Sequence, residues 1–380
     1  MSGPSAGPHG RGPAHVVQLL GGGSAGTGVH VRSLSAGLVA RGLTVTVCAP
    51  ASAERRYDFT GAGARFVPVP ITTRRAAVGI LRTVCAGADL VHAHGMRAGT
   101  LAALARRRRD TSPLVVTWHT RSTTPGLRAR VRQLTESWVA RTASVVLGAT
   151  SDLVERARRR GARDARLAPV ALPSPPPGQS APDADGPTPE PDPHKLRAEL
   201  GATDRPLLLT VTRLDRDPSL DVLLTASRAW RGLTPQPLLL VAGDGPGRAA
   251  LQRRIDRERL PVRLLGGCPD PARLLAAADA ALLVVEWAGR APLALEALRG
   301  GVPLVATAVG GVPEMVGDAA VLVPYGDPVA LGAAVRVLLG DPARRAGLAA
   351  AGRVRAGSWP TEDTTVAQVL SVYDELTRTG

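Results

Sequence analysis

The sequence predicts two α/β domains, each a Rossmann-like, doubly wound parallel sheet, facing one another across a cleft. Three observations predict it. Short apolar runs alternate with helix-spaced segments from His15 onward. The alternation breaks once, at a proline-rich stretch, and then restarts. A chain of 380 residues also exceeds what one ordinary core accommodates.

Residues 1–13 are polar and breaker-rich, and read as a disordered head. "HVVQLL" (His15–Leu20) then reads as a buried strand, "GGGSAGTGVH" as a glycine loop, and "HVRSLSAGLVARG" as a helix. "LTVTVCAP" is a second strand, and strand–loop–helix–strand opens a parallel sheet. "ADLVHAHG" and "PLVVTWHT" are strands that end in histidine-bearing loops. "ASVVLGATS" is another, followed by the helix "DLVERARRRG". The first domain thus covers 1–172.

Residues 173–194 are proline-rich, acidic and poor in aliphatics, a composition suited to an extended linker. The second domain, 195–360, repeats the pattern. "PLLLTVTRL", "PLLLVAGDGPG", "VRLLGG", "ALLVVE" and "VPLVATAV" are strands. "DVLLTASRAWRG", "RAALQRRIDRERL", "DPARLLAAADA" and "PLALEALRGG" are the helices between them. A closing helix over 361–380 can fold back on the first domain. Ligands of open parallel sheets bind at the carboxyl ends of the strands, which places the site between the two domains.

The formal charge is +15, nearly all of it arginine, with Lys195 the single lysine. A basic surface attracts phosphates and anionic lipid. The runs Arg106–Arg109 and Arg156–Arg160 read as solvated helix faces, with an anionic membrane surface the second reading. Nucleic acid is not expected, because aromatics to stack on bases are scarce. Cys48, Cys85 and Cys268 are too scattered for a disulfide framework or a zinc site. With no signal-peptide core and no run of about 18 apolar residues, a cytoplasmic protein is expected, peripheral at most on the inner face of the membrane.

Gly21, Gly23 and Gly26 have the GxGxxG spacing of a dinucleotide fold. The acid that such a fold needs at the end of the second strand is missing, and no lysine completes a P-loop. What remains is a loop whose amides can approach an anion at a helix N-terminus. His92, His94 and His119 stand at strand ends. No spaced carboxylate completes a metal set, so no metal is expected. His119, the most exposed by position, can hydrogen-bond a polar substrate. Arg213 stands at a strand end, ready to pair with phosphate, and "AGDGPG" (Ala242–Gly247) makes a turn with a backbone concavity.

"LEALRGGVPLVATAVGGVPE" (Leu295–Glu314) is the most specific segment. Taken in order with "HVRSLSAGLVARGLTVTV", "TWHT", "VTRL" and "VAGDGPGRAAL", it resembles the family-4 retaining glycosyltransferases, which have the two-domain B-type fold. The resemblance spans the chain from about His15 to its end. It implies transfer of a hexose from a nucleotide-diphosphate sugar to an unidentified acceptor, with no cofactor besides the donor. It gives His119 and Arg213 catalytic roles and Glu296 the donor's ribose. Gly22, Gly23, Gly26, Gly243, Gly245, Pro292 and Leu293 would also line the donor site.

Three departures from the family matter; one, an "IPNG"-like turn before the linker, reads "APVALP" here, and the other two fall at the donor site. The family's second glutamate is replaced by Ala288, and its lysine–glycine pair by Pro218-Ser219. The diphosphate therefore loses a cation. Arg290 and Arg216 are the expected replacements. The departures also motivate the alternative of a catalytically weak or inactive homologue that binds a nucleotide sugar or a partner enzyme.

Overall fold

The computed structural model describes residues 14–22, 25–106, 112–121, 127–168, 170–171, 193–215, 217–267 and 270–378. The expected head, residues 173–192 of the expected linker, Gly23, Arg216 and Arg107–Arg109 lie outside the described residues. The chain divides into two compact units. One comprises the described residues of Met1–Ser174 and Pro360–Gly380, the other those of Pro175–Trp359.

The first unit runs β1 (His15–Leu20), α1 (Ala25–Ala40), β2 (Thr44–Ala49), α2 (Ala51–Tyr57), β3 (Arg65–Pro68), α3 (Arg74–Cys85), β4 (Leu90–His94), α4 (Met96–Ala105), β5 (Leu114–Trp118), α5 (Leu127–Thr142), β6 (Val145–Gly148), α6 (Ser151–Arg159) and β7 (Ala165–Leu167). The strands form a parallel sheet in the order β3-β2-β1-β4-β5-β6-β7. Near-continuous apolar runs suit strands covered on both faces, and Val16, Val17, Leu19 and Leu20 are buried accordingly. The order reverses between β1 and β4, which makes their carboxyl ends the switch point.

The second unit runs α7 (Pro193–Glu199), β8 (Leu207–Val211), α8 (Pro218–Ser227), β9 (Leu238–Ala242), α9 (Arg248–Glu258), β10 (Val262–Gly266), α10 (Pro271–Ala276), β11 (Ala280–Leu283), α11 (Pro292–Gly300), β12 (Leu304–Thr307), α12 (Val312–Val316), β13 (Val321–Val323), α13 (Pro328–Gly340) and α14 (Pro342–Gly357). Its parallel order is β10-β9-β8-β11-β12-β13, with the reversal between β8 and β11. Trp230, fully buried, anchors its core and donates from Nε1 to Gly332 O at 3.2 Å.

The last helix, α15 (Glu362–Arg378), belongs to the first unit. Val366, Val369, Val372 and Tyr373 are buried in that unit's core. Helix α1 receives it at Gly37, where an added Cβ would lie 2.5 Å from a methyl of Val366.

Arg156–Arg160 is not one solvated face. Arg156 and Arg160 turn inward to the buried Glu136 of α5, at 2.8 and 3.1 Å, while Arg158 and Arg159 stay exposed beside Glu155. A buried carboxylate must be paired, and two guanidiniums from α6 and its end do this. The helix read from Asp221 begins earlier, at Pro218. The ring has the torsion that a first helical residue needs, and Asp217 caps it.

Candidate functional site

At the carboxyl end of the first sheet, Gly21 ends β1 against α4. A Cβ there would stand 2.6 Å from the amide nitrogen of Ala98. Gly22 turns the chain at φ +86°, and Gly26 sits half-buried in the first turn of α1. Beside this turn four of the chain's seven histidines gather: His30 from α1, His92 and His94 from β4, and His119 one residue past β5. His30, His92 and His94 are buried, and His119 is half-buried.

A chain of hydrogen bonds fixes the protons of His92 and His94. Gln18, the one polar side chain inside the buried run of β1, donates from Nε2 to the Tyr373 hydroxyl at 2.9 Å. Its Oε1 can only accept, so His94 donates to it from Nε2 at 2.6 Å. The lone pair of His94 then sits on Nδ1, 3.2 Å from His119 Nε2. The Tyr373 hydroxyl lies 2.6 Å from His92 Nδ1, and His92 Nε2 lies 2.6 Å from Thr117 Oγ1. The Tyr373 hydroxyl, accepting from Gln18, donates to His92 Nδ1, and His92 Nε2 donates to Thr117 Oγ1.

Burial keeps all four rings neutral. It pushes His30 down to about 4. It pushes His92 down to about 3, with His30 adding to the shift. Burial and the neighbouring rings hold His94 and His119 well below the usual histidine value. Burial likewise raises the Tyr373 hydroxyl, opposed by the Gln18 hydrogen bond.

In the second unit, Arg213 follows β8 with its side chain 82% exposed, and its Nε donates to Asp215 at 3.0 Å. The Ala242–Gly247 turn braces this segment. Thr212 N donates to Ala242 O, Leu214 N to Asp244 O, and Gly247 N to Leu214 O. A Cβ on Gly243 would collide with Thr212 O, and one on Gly245 would come 2.5 Å from Leu214 O. The Gly243 amide is taken by Gly266 O and the Gly245 amide by Asp244 Oδ1. The concavity read from the sequence is thus filled by the chain. These glycines seat the Arg213 segment by close approach and present no open row of amides.

Helix α11 starts at Pro292, as read from "PLALEALRGG", and Glu296 is its fifth residue, in the second turn. It is half-exposed, with Arg299 Nη1 at 3.4 Å. The helix begins with Ala291 as cap, Pro292 at its first position and buried Leu293 next; no side chain caps it and no acid lies in its first turn. In the same unit α8, α10, α13 and α14 also begin with proline, and each is capped by its own carboxylate, from Asp217, Asp270, Asp327 and Asp341. At α8 that carboxylate stands beside Pro218, which takes the place of the lysine in the family pattern.

Arg290, just before α11, is half-buried with its guanidinium 5.9 Å from the Trp359 ring centre, and Arg299 approaches the same ring at 5.7 Å. Burial and Arg299 lower the Arg290 pKa, with Glu314 opposing. The turn holding Ala288 is clamped by the second Gly-Gly pair: Gly311 N donates to Ala288 O, and a Cβ on Gly310 would collide with that oxygen. Glu286 is exposed.

The sequence reading missed His30, Gln18 and Tyr373. A lone glutamine inside an apolar strand was the one available signal for this network.

Residues 25–173 match the family described as a glycosyl transferase 4-like domain, and residues 193–355 that described as glycosyl transferases group 1. The D-inositol 3-phosphate glycosyltransferase of Xylanimonas cellulosilytica is 32% identical over 314 residues, 76% of this chain and 72% of that one. The GDP-mannose-dependent alpha-(1-6)-phosphatidylinositol monomannoside mannosyltransferase of Mycolicibacterium smegmatis is 32% identical over 253 residues, 61% of this chain. Of that relative's length the chain spans 65%. Among solved structures, Anabaena HepE in complex with UDP and glucose superposes with a TM-score of 0.73 at 20% identity, over 94% of this chain and 99% of that one.

Proposed function

The chain belongs to the family-4 glycosyltransferases of the two-domain B-type fold, and from that premise we propose that it moves a hexose from a nucleotide-diphosphate sugar to an acceptor with retention of anomeric configuration. The observation that carries this reading is the bare start of α11. A helix N-terminus offers unpaired amides and partial positive charge to an anion. Among the described residues no carboxylate fills that role, Arg290 stands just before the cap Ala291, and Glu296 follows in the second turn. That set suits a diphosphate on the amides and a ribose diol on the carboxylate.

As the donor bond breaks, charge grows on the leaving diphosphate. Arg213, Arg290 and the α11 amides would stabilise it more in the transition state than before. His119, neutral and half-buried, would hydrogen-bond the sugar. Nucleotide sugars fit the UDP seen with HepE and the GDP-mannose named for the mycobacterial relative. Both sequence relatives are named for inositol-containing molecules, so an inositol-bearing acceptor is the first to try.

The peripheral membrane reading also has support. Among the described residues no helix is long and apolar enough to cross a membrane. Yet α5 exposes Val131, Leu134 and Trp138 at helical spacing, beside exposed Arg130 and Arg141. An apolar stripe flanked by arginine suits the surface of an anionic bilayer.

A second reading, a silent binder of nucleotide sugar, is favoured by the Asp217 cap at α8. One assay divides the two. Purified protein is screened against nucleotide sugars by thermal shift, and release of nucleotide diphosphate is then followed with the stabilising donor. Release supports the transferase. Stabilisation without release supports the binder. No stabilisation by any donor removes both.

A further inference from the structure

We propose that His30, His94 and His119 form a binding site for a divalent transition-metal ion of the zinc class, held by three imidazole nitrogens at the carboxyl end of the first unit's sheet. The proposal goes beyond the transfer reading and does not depend on it. One ligand nitrogen from each ring lies within 4.8 Å of the other two. The nearest pair, His94 Nδ1 and His119 Nε2, is 3.2 Å apart. Two nitrogens bound tetrahedrally at about 2.0–2.1 Å from zinc sit roughly 3.3 Å from each other. That pair already has ligand spacing, and His30 has at most roughly 1.5 Å to close by turning its ring.

The backbone under the site is firm. His94 ends β4, paired in register with Thr117 of β5, and His119 follows two residues later. His30 comes from α1, which packs on the same sheet. Ligands held by regular elements are better placed than ligands on loops alone.

The outer partners match what a metal site needs. A ligating imidazole commonly donates its second N–H to a fixed acceptor, which sets the tautomer and aims the lone pair. His94 does this to Gln18 at 2.6 Å, and Gln18 is itself held by Tyr373 at 2.9 Å. With the His94 proton on Nε2, Nδ1 faces His119 as a lone pair. A hydrogen bond between His94 and His119 uses two rings. The third, His30, stands edge-on to both, with ring centres 5.6 and 5.5 Å away. Three imidazoles leave a fourth position for water, and half-buried His119 marks the side from which it enters. Neutral nitrogen ligands select zinc, cobalt, nickel or copper over magnesium and calcium.

The test is calorimetric titration of the full chain with Zn²⁺ and separately with Mg²⁺, alongside the visible spectrum with Co²⁺. Expected are one Zn²⁺ per chain at micromolar metal, no Mg²⁺ heat, and the intense bands of four-coordinate Co²⁺. Gln18→Met should weaken Zn²⁺ by about 10–100-fold, as for other outer partners of metal ligands. His119→Ala and His30→Ala should each weaken it further and remove the Co²⁺ bands. His119 is half-exposed, so its variant tests the site even where His30→Ala fails to fold. Zn²⁺ binding that does not saturate overturns the proposal. So does binding equal in wild type and His119→Ala, which would move the ion to other histidines such as His15.

Discussion

Glu296 is where the proposed donor site is most exposed to test at the level of one residue. Its carboxylate is half-exposed and its partner is Arg299, one turn on, a pairing that water screens. A vicinal diol can compete for such a carboxylate. Glu296→Ala is expected to cost about 1.5–3 kcal/mol of affinity for donor and free nucleotide diphosphate alike. Unchanged affinity in calorimetry takes Glu296 out of the site. Arg290 is a different case. Its contact with the Trp359 ring gives it a packing role as well as a charge. If it compensates for the missing lysine, Arg290→Ala lowers kcat more than donor affinity, since charge on the diphosphate grows in the transition state. Arg290→Gln, which keeps more of the stem over the ring, should lose nearly as much kcat while keeping more stability. Equal kcat in all three proteins removes the compensation idea. Residue types at strand ends were legible in the sequence. Their engagements were not, because they depend on distant segments. Gly243 and Gly245 are glycine for the sake of Thr212 and Leu214, some thirty positions earlier. His94 is oriented by Gln18, and Gln18 by Tyr373 near the chain's end.

Helices carry the next set of consequences. Asp217 caps α8 by accepting from Ser219 N at 2.8 Å, with Pro218 at the first position. A carboxylate in that place repels a phosphate brought to the same end. Pro218→Lys alone should therefore raise turnover little. Combined with Asp217→Gly, which removes the cap's charge, it should raise turnover further, at a stability cost of a few tenths of a kcal/mol for the cap change. A single Pro218→Lys that matches the double variant would show that Asp217 does not matter. Helix α5 supplies an independent prediction. Its stripe of Val131, Leu134 and Trp138 should bind vesicles of anionic phospholipid at low salt. Val131→Ser, Leu134→Ser and Trp138→Ser together should abolish that binding and leave the melting temperature nearly unchanged. Sedimentation with neutral and anionic vesicles reads it, and binding that survives the triple change relocates the surface. Strands β1, β2, β4–β6 and β8–β12, with helices α1, α6 and α8–α11, were readable because short apolar runs alternate with helix-spaced ones. The strands β3, β7 and β13 were not. Each has only three or four residues, and the exposed Arg65 of β3 and the exposed Leu167 of β7 show why a pattern of burial fails at a sheet edge.

At the scale of the whole chain, sequence order and folding unit part company once. The first unit is built from the beginning of the chain and from α15, with the entire second unit intervening in sequence. Helix α15 is no ornament to that unit. Val366, Val369, Val372 and Tyr373 are within a few per cent of full burial, and Gly37 of α1 is kept bare to receive Val366. Burying four such side chains is worth on the order of 6–12 kcal/mol before entropy, comparable to the whole net stability of a domain. Tyr373 also closes the hydrogen-bonded chain through Gln18 and His92, so losing it leaves buried polar groups unpaired. A recognition sequence for a specific protease can be inserted between residues 180 and 181 to cut the chain once. The carboxyl-terminal fragment then carries α15 away from the sheet it stabilises in sequence, though not in space. The two fragments are expected to co-purify in native conditions and separate in denaturant. Residues 1–174 expressed alone should aggregate, and should become soluble when the remainder is supplied in trans. Cutting a second time, between Trp359 and Pro360, should leave α15 with the first unit. Fragments that part after the first cut alone, each folded by circular dichroism and each melting cooperatively, would show that α15 contributes little and that the amino-terminal segment closes its own core.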